Sequence, residues 1–301
     1  MYGDWILTYP GVEYRFGPPD HTVELVGWTF QADGSRNDDT PAPRMDGIIF
    51  GEDFLEAGRL QIDVKIDFTT HPVPVETRAQ LAWEARQAFS EAWRADVVRS
   101  RPGAVAELTM GGEVAFEGRP RPVAWDDDAQ NVGLIYGSAL FVPAGTGVFD
   151  VTGPNAGWRT VSVQLVPPEV GAWVFPLTFP VSGTTAAVRA SVFEVGGTAS
   201  AWPVIEVDGP IQSGASVEVT GEWSVTLNRG LAYDETARLD TRPGQRSMTV
   251  NGRPVNLLVP SSPSLADLSL SPGPHQVALR GSSLEGTAVA RLRWRDTKAG
   301  V

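Results

Sequence analysis

Gln61-Ile62-Asp63-Val64-Lys65-Ile66-Asp67-Phe68 alternates polar and apolar residues without a break. In an extended chain Ile62, Val64, Ile66 and Phe68 share one face and the polar residues the other, the pattern of a half-buried strand. A period near two returns through most of the sequence. Residues 108–110 and 113–116 flank Gly111-Gly112 as a tight hairpin. Further strands are expected at 131–142 and 159–166, then at 201–207, 216–220, 222–227, 247–250, 276–280 and 287–295. Asn251-Gly252, between two short apolar stretches, is the strongest turn signal in the chain. The 32 glycines and 24 prolines are too many for a helical bundle and lack the spacing of collagen, so they punctuate many short strands.

One segment has a helical period instead. Leu81, Ala85, Phe89, Trp93 and Val97 recur every fourth residue, with Ala88 and Ala92 beside them, and predict a helix over residues 77–99. Thr77 and Gln80 form a capping-box pattern before it, and Arg101-Pro102-Gly103 closes it. The stretch from Phe175 to Thr185 carries Pro176 and Pro180 and no charge, which marks a boundary. The expected organisation is a first domain over 1–175, a linker over 176–190 and a second domain over 191–301. The fold class is mainly β, and six or more short strands after the linker close naturally as a β-sandwich.

Composition narrows the function. The net charge is −12, and all of it belongs to residues 1–150, which hold 24 acidic and 12 basic side chains. An acidic surface of this kind repels nucleic acid. With no cysteine, disulfides, thiolate metal sites and cysteine nucleophiles are excluded. The first residues lack the pattern of a signal peptide, and no apolar run reaches the roughly 18 residues of a membrane span, so a soluble protein without a membrane segment is expected.

Motifs for catalysis are scarce. His21, His71 and His275 lie far apart and match no compact ligand spacing. There is no Gly-x-Ser-x-Gly elbow and no phosphate loop leading into the helix. Asp33-Gly34-Ser35-Arg36-Asn37-Asp38-Asp39 begins like a calcium loop but has Asp38 where the glycine belongs and Arg44 where the last carboxylate belongs, so it reads as a solvated loop. Asp126-Asp127-Asp128 offers either a carboxylate cluster, for a metal or a glycosidase pair, or a polar turn, and the turn is the simpler account. Of the ten tryptophans, Trp93 and Trp294 read as core anchors. Trp5, Trp28, Trp158, Trp173, Trp202 and Trp223 are open between core positions and sugar-stacking platforms.

A series of phrases resembles a known family. It runs from Phe175-Pro176-Leu177-Thr178-Phe179-Pro180 through Trp202-Pro203-Val204-Ile205-Glu206-Val207-Asp208-Gly209-Pro210 and Leu239-Asp240-Thr241 to the Asn251-Gly252 turn. Leu270-Ser271-Pro272-Gly273 and Leu292-Arg293-Trp294-Arg295 complete it, and Gly58-Arg59 and Gly118-Arg119-Pro120-Arg121-Pro122-Val123 agree more loosely in the first half. In this order they resemble the distal tail proteins, or minor tail proteins, of bacteriophages with long non-contractile tails. The resemblance implies an N-terminal β-sandwich with one helix and a C-terminal galectin-like β-sandwich. It implies six copies in a ring at the end of the tail tube, without enzymatic activity or cofactor. Its partners would be the tail tube protein, the tail-tip hub protein, the tape measure and receptor-binding proteins, in the virion. The His-x-Asn-x-Arg strand of sugar-binding galectins has no counterpart here, because the second-half histidine reads His275-Gln276-Val277-Ala278-Leu279. A carbohydrate-binding adhesin for host-surface glycans is the alternative, motivated by the tryptophans.

Two surface expectations follow. Asp126, Asp127 and Asp128 should face solvent or the lumen of a ring, since clustered acids tolerate burial poorly. Arg291, Arg293 and Arg295 alternate with Ala290, Leu292 and Trp294, so the arginines should form an outward row while Leu292 and Trp294 enter the core. That row is either a solvated face or a contact for an acidic partner.

Overall fold

The computed structural model describes residues 3–31, 58–153, 156–165, 190–283 and 287–299 in full, and the backbone of 35–37, 40–41, 48–49 and 53–55. The expected linker at 176–190 except its last residue, Trp173, and most of the Asp33–Asp39 loop lie outside the described residues. Half of the chain is strand and about a tenth helix, so the mainly β, two-domain class holds. The two units are residues 1–156 with 298–301, and residues 157–297.

The first unit begins with an antiparallel hairpin, β1 (Trp5–Tyr9) and β2 (Val12–Phe16), followed by β3 (Glu24–Gln31). Two short ribbons come next: β4 (Ser35–Asn37) pairs with β7 (Asp53–Leu55), and β5 (Thr40–Pro41) with β6 (Ile48–Ile49). Then come β8 (Arg59–Asp67), helices α1 (Val75–Arg94) and α2 (Asp96–Arg99), β9 (Ala106–Met110), β10 (Val114–Asp126), β11 (Leu134–Pro143) and β12 (Gly147–Asp150). The main sheet runs β2-β1-β9-β10-β11-β8-β3. It curls until its edges approach: Trp5 of β1 lies 6.3 Å from Trp28 of β3, and the Leu25 N–H bonds the Gly17 carbonyl at 2.8 Å.

The stretch around residues 61–68 behaves as its alternation requires. Leu60, Ile62, Val64 and Ile66 are buried, and Phe68 packs against the same core just past the strand end. Gly111 and Gly112 both take the positive φ that the expected β9–β10 turn demands. β10 pairs with β9 only as far as Gly118, so Pro120 and Pro122 fall where the β9 side carries no ladder.

The helix differs from expectation at both ends. It starts at Val75 after Pro74, two residues early, and the capping box does not form: Gln80 instead bonds Glu84. Arg78 secures the entry, donating to the Val73 carbonyl at 2.9 Å and the Thr69 carbonyl at 2.5 Å. The single helix over 77–99 is broken at Ala95, which sits in the left-handed region at φ 43°, ψ 46°, a conformation costing an alanine about 1 kcal/mol. Its carbonyl accepts from the amides of Val98 and Arg99, starting α2 with Asp96 in the first turn. The break turns the apolar stripe by one position: Val98 is buried, and Val97 is 42% exposed.

Upstream of the break α1 closes the core. Phe89 stacks on Trp93 at 5.2 Å and meets Tyr14, Phe16 and Trp125 edge-on at 5.5–5.7 Å. Truncating such a buried aromatic removes about 3–5 kcal/mol. The Trp125 ring lies so close over β11 that a side chain at Gly137 would meet it at 2.5 Å, so that position requires glycine.

The second unit is a two-sheet sandwich. Its strands are β13 (Arg159–Gln164), β14 (Ala190–Val195), β15 (Val204–Asp208), β16 (Ser216–Val219), β17 (Trp223–Thr226), β18 (Thr236–Asp240), β19 (Ser247–Val250), β20 (Arg253–Pro254), β21 (Gly273–Arg280) and β22 (Val289–Trp294). One sheet runs β13-β22-β15-β18-β19-β20 and the other β14-β21-β16-β17. Ile205, Val207, Leu239, Leu292 and Trp294 from the first sheet share one core with Val217, Val219, Val277 and Leu279 from the second. Asn251 and Gly252 form the expected turn, both at positive φ, between β19 and β20. β13 pairs with β22, so contacts place the division after Ala156, not at residue 175. The last strand, β23 (Thr297–Ala299), pairs with β12, and Lys298 bonds Asp150 at 2.7 Å.

Candidate assembly surfaces

β22 delivers the expected alternation for five of its positions. Ala290, Leu292 and Trp294 are buried, while Arg291 and Arg293 stand on the outer face. Arg295 corrects the row: the strand ends at Trp294, alternation no longer applies, and Arg295 is only 7% exposed. The next residue, Asp296, turns inward, accepting from the Trp294 indole at 3.1 Å and the Gly196 amide at 3.0 Å beside the Arg159 guanidinium at 3.0 Å.

The outward arginines are engaged within the sheet. Arg291 pairs with Asp208 at 2.5 Å, Arg238 with Glu206 at 2.8 Å, and Arg242 with Asp240 at 2.7 Å. The registers explain it: Glu206 lies opposite both Arg291 and Arg238, which alternates sign across three strands. Arg293 and Arg242 both approach the ring of Trp158, at 5.3 and 5.1 Å. Trp83, the other exposed tryptophan among the described residues, carries Arg86 at 4.9 Å. Of the open assignments, Trp5 and Trp223 are core, and Trp28 and Trp202 are half-buried.

Asp126, Asp127 and Asp128 are exposed at the end of β10, as a polar turn requires. Asp127 pairs with Arg86 at 2.7 Å and Asp126 accepts from the Asp128 amide. On the neighbouring strands Lys65 bridges Glu24 at 3.0 Å and Asp67 at 3.4 Å, and the Glu24 hydrogen bond holds the Lys65 ammonium above its ordinary pKa. The Thr69 hydroxyl and amide hold the Asp67 carboxyl below its ordinary value. Burial pushes the Tyr14 phenol up to about 12.

Two concave features stand out. An apolar cavity of about 380 Å³ is walled by Val26, Ala124, Trp125 and Tyr136, with Asp63 and Asp126 among its lining. A bulge in β3 at Val26 leaves that side chain 54% exposed, and Tyr136 is 44% exposed. The second feature is a polar cleft of about 430 Å³ between α2 and β10, lined by Asp96, Arg99, Ser100, Arg119 and Arg121. Arg119 is committed to the Ala104 and Arg101 carbonyls, at 2.9 and 2.7 Å.

Among the described residues the three histidines have separate partners. His21 pairs with Asp4 at 3.2 Å, His71 packs on Phe68, and His275 bonds the Ser271 carbonyl at 2.7 Å. Among the described residues no group of three His, Asp or Glu side chains is placed to hold a metal, and no helix is long and apolar enough to cross a membrane. Reading the sequence missed the cavity and the exposed Val97. The Val97-Val98 doublet and the five arginines between residues 94 and 121 of an acidic region were its available signals.

No family profile matches the sequence, and no curated protein matches it. The fold has solved counterparts. The Dit (gp 19.1) protein of phage SPP1, described as a paradigm of hub adsorption apparatus in Gram-positive infecting phages, superposes with a TM-score of 0.53 at 10% identity over 96% of this chain and 98% of that one. The baseplate of phage P2 in its activated, calcium-bound conformation contains a chain with a TM-score of 0.44 at 11% identity, over 96% and 97% of the two chains.

Proposed function

We propose that the chain is a structural hub of a phage tail tip: a ring of six copies, without catalytic activity, that joins the tail tube protein to the tail-tip hub protein and to receptor-binding proteins, with the tape measure protein passing through. The observation that carries the reading is the likeness of fold to the SPP1 hub protein along nearly the whole of both chains, two units included. The ordered phrases of the sequence support it independently. The acidic first unit suits a conduit that must not hold DNA, with Asp126, Asp127 and Asp128 expected to face solvent or the lumen.

The glycan-binding alternative gains little from the tryptophans, because Trp83 and Trp158 each carry arginine against the ring. For Arg291 and Arg293 an acidic partner would have to displace Asp208 and Trp158. Native mass spectrometry and electron microscopy of the purified chain test the hub reading. Six-membered rings, and antibody labelling confined to the tail tip of virions, are expected; a protein monomeric at every concentration and absent from the tip overturns it.

A further inference from the structure

We propose that neighbouring copies meet head to tail through the first unit, with Val97 and its flanking arginines of one copy seated on the Val26–Tyr136 cavity of a second copy. The inference rests on the hub reading and names its inter-subunit contact. Copies of a unit whose residues 1–150 sum to −12 repel one another, so a contact between them has to bring cations against acids. Five of the twelve basic residues in 1–150 lie at Arg94, Arg99, Arg101, Arg119 and Arg121. Among the described residues Arg99, Arg101 and Arg121 have no ion-pair partner in their own chain, unlike Arg238, Arg242 and Arg291 on the second unit's outer sheet.

Within this basic patch Val97 projects outward because Ala95 breaks the helix. The cavity has the opposite character: apolar walls from Val26, Tyr136 and Trp125, with Asp63 and Asp126 beside them. Among the described residues neither carboxylate has a cation of its own; Asp63 accepts from Gln61 and Asp126 from a backbone amide. An apolar knob ringed by arginines thus matches an apolar socket bordered by carboxylates. Arg121 and Asp126 lie five residues apart on β10, about 17 Å at strand spacing, so knob and socket are separate surfaces. A contact between two different surfaces is heterologous, the kind that closes into a ring when the rotation between copies divides a full turn.

The chain contains no cysteine, so engineered pairs report without background. Full-length Val26→Cys/Val97→Cys, oxidised or treated with a short bismaleimide, should give a ladder of covalent oligomers ending at the ring size, while each single variant gives none. Arg99→Glu with Arg121→Glu should reduce the assembled fraction about tenfold or more without lowering the melting temperature, and adding Asp63→Arg with Asp126→Arg should restore it. Wild-type rings without a ladder from the double-cysteine variant overturn this contact and leave the hub reading standing. A ladder that grows without closing keeps the contact and overturns the six-copy ring. A wild type that stays monomeric, with no ladder, overturns both.

Discussion

The outer sheet of the second unit and the α2–β10 surface of the first carry similar numbers of arginines and use them differently. On the sheet, Arg291, Arg238 and Arg242 are each answered by a carboxylate on the same or the adjacent strand, and Arg293 by an indole. At α2–β10, Arg99, Arg101 and Arg121 have no ion-pair partner among the described residues, and Asp63 and Asp126 have no cation among them beside an apolar cavity. The second unit's outer sheet answers Arg238, Arg242 and Arg291 from within the unit. The first leaves complementary charges for something outside itself, which is what an assembling part requires.

The difference can be broken most severely at the cores. Trp93→Ala should cost the first unit about 3–5 kcal/mol, because the ring stacks on Phe89 and is fully enclosed. Exchange protection of residues 204–208 and 289–294 should survive; joint loss of both units would show that they are one cooperative structure. Asp296→Ala strikes the second unit instead. It removes the acceptor for the Trp294 indole and Gly196 amide and the charge beside Arg159, with an expected loss of about 2–4 kcal/mol. An unchanged melting temperature would mean that water replaces the carboxylate.

Alkaline titration sharpens the comparison further. Below pH 10 the Tyr14 phenol is neutral whether folded or unfolded. Between pH 10 and about 12 the unfolded chain ionises first, so stability of the first unit should fall as pH rises, by about 1–2 kcal/mol after allowance for partial exposure of the ring. Tyr14→Phe should flatten that part of the profile, and a profile unchanged by the substitution contradicts the assignment. The smallest effect belongs to Arg291→Ala, under about 1 kcal/mol, since its pair with Asp208 is half-exposed. A loss above about 2 kcal/mol would make the sheet's ion pairs a source of stability instead of surface order.

The same contrast governs what could be read in advance. Strand alternation at Leu60–Ile66 and Ala290–Trp294 was legible because side-chain direction follows from the residue's own position in the strand. The Gly111-Gly112 and Asn251-Gly252 turns were legible because positive φ selects those residues. The break at Ala95 was not, since alanine rarely marks the left-handed region and the periodicity of Leu81 to Val97 runs straight through it. The helix start depends on Arg78 reaching loop carbonyls, and the burial of Arg295 on where the strand stops; both are tertiary facts. Asp126, Asp127 and Asp128 are exposed in the single chain. The cavity beside it draws on β3, β8, β10 and β11, too widely separated in sequence to be seen together.

The most direct test of the central claim, that the first unit assembles and the second closes on itself, is peptide-level hydrogen exchange on the full chain. The assembled low-salt form would be compared with the same protein dissociated in high salt. Protection gained on assembly should map to residues 94–101, 119–126, 24–27 and 134–138, with 204–208, 236–242 and 289–295 unchanged. Protection gained instead on the second unit's arginine-bearing sheet, with none around Val97 and Val26, would contradict it.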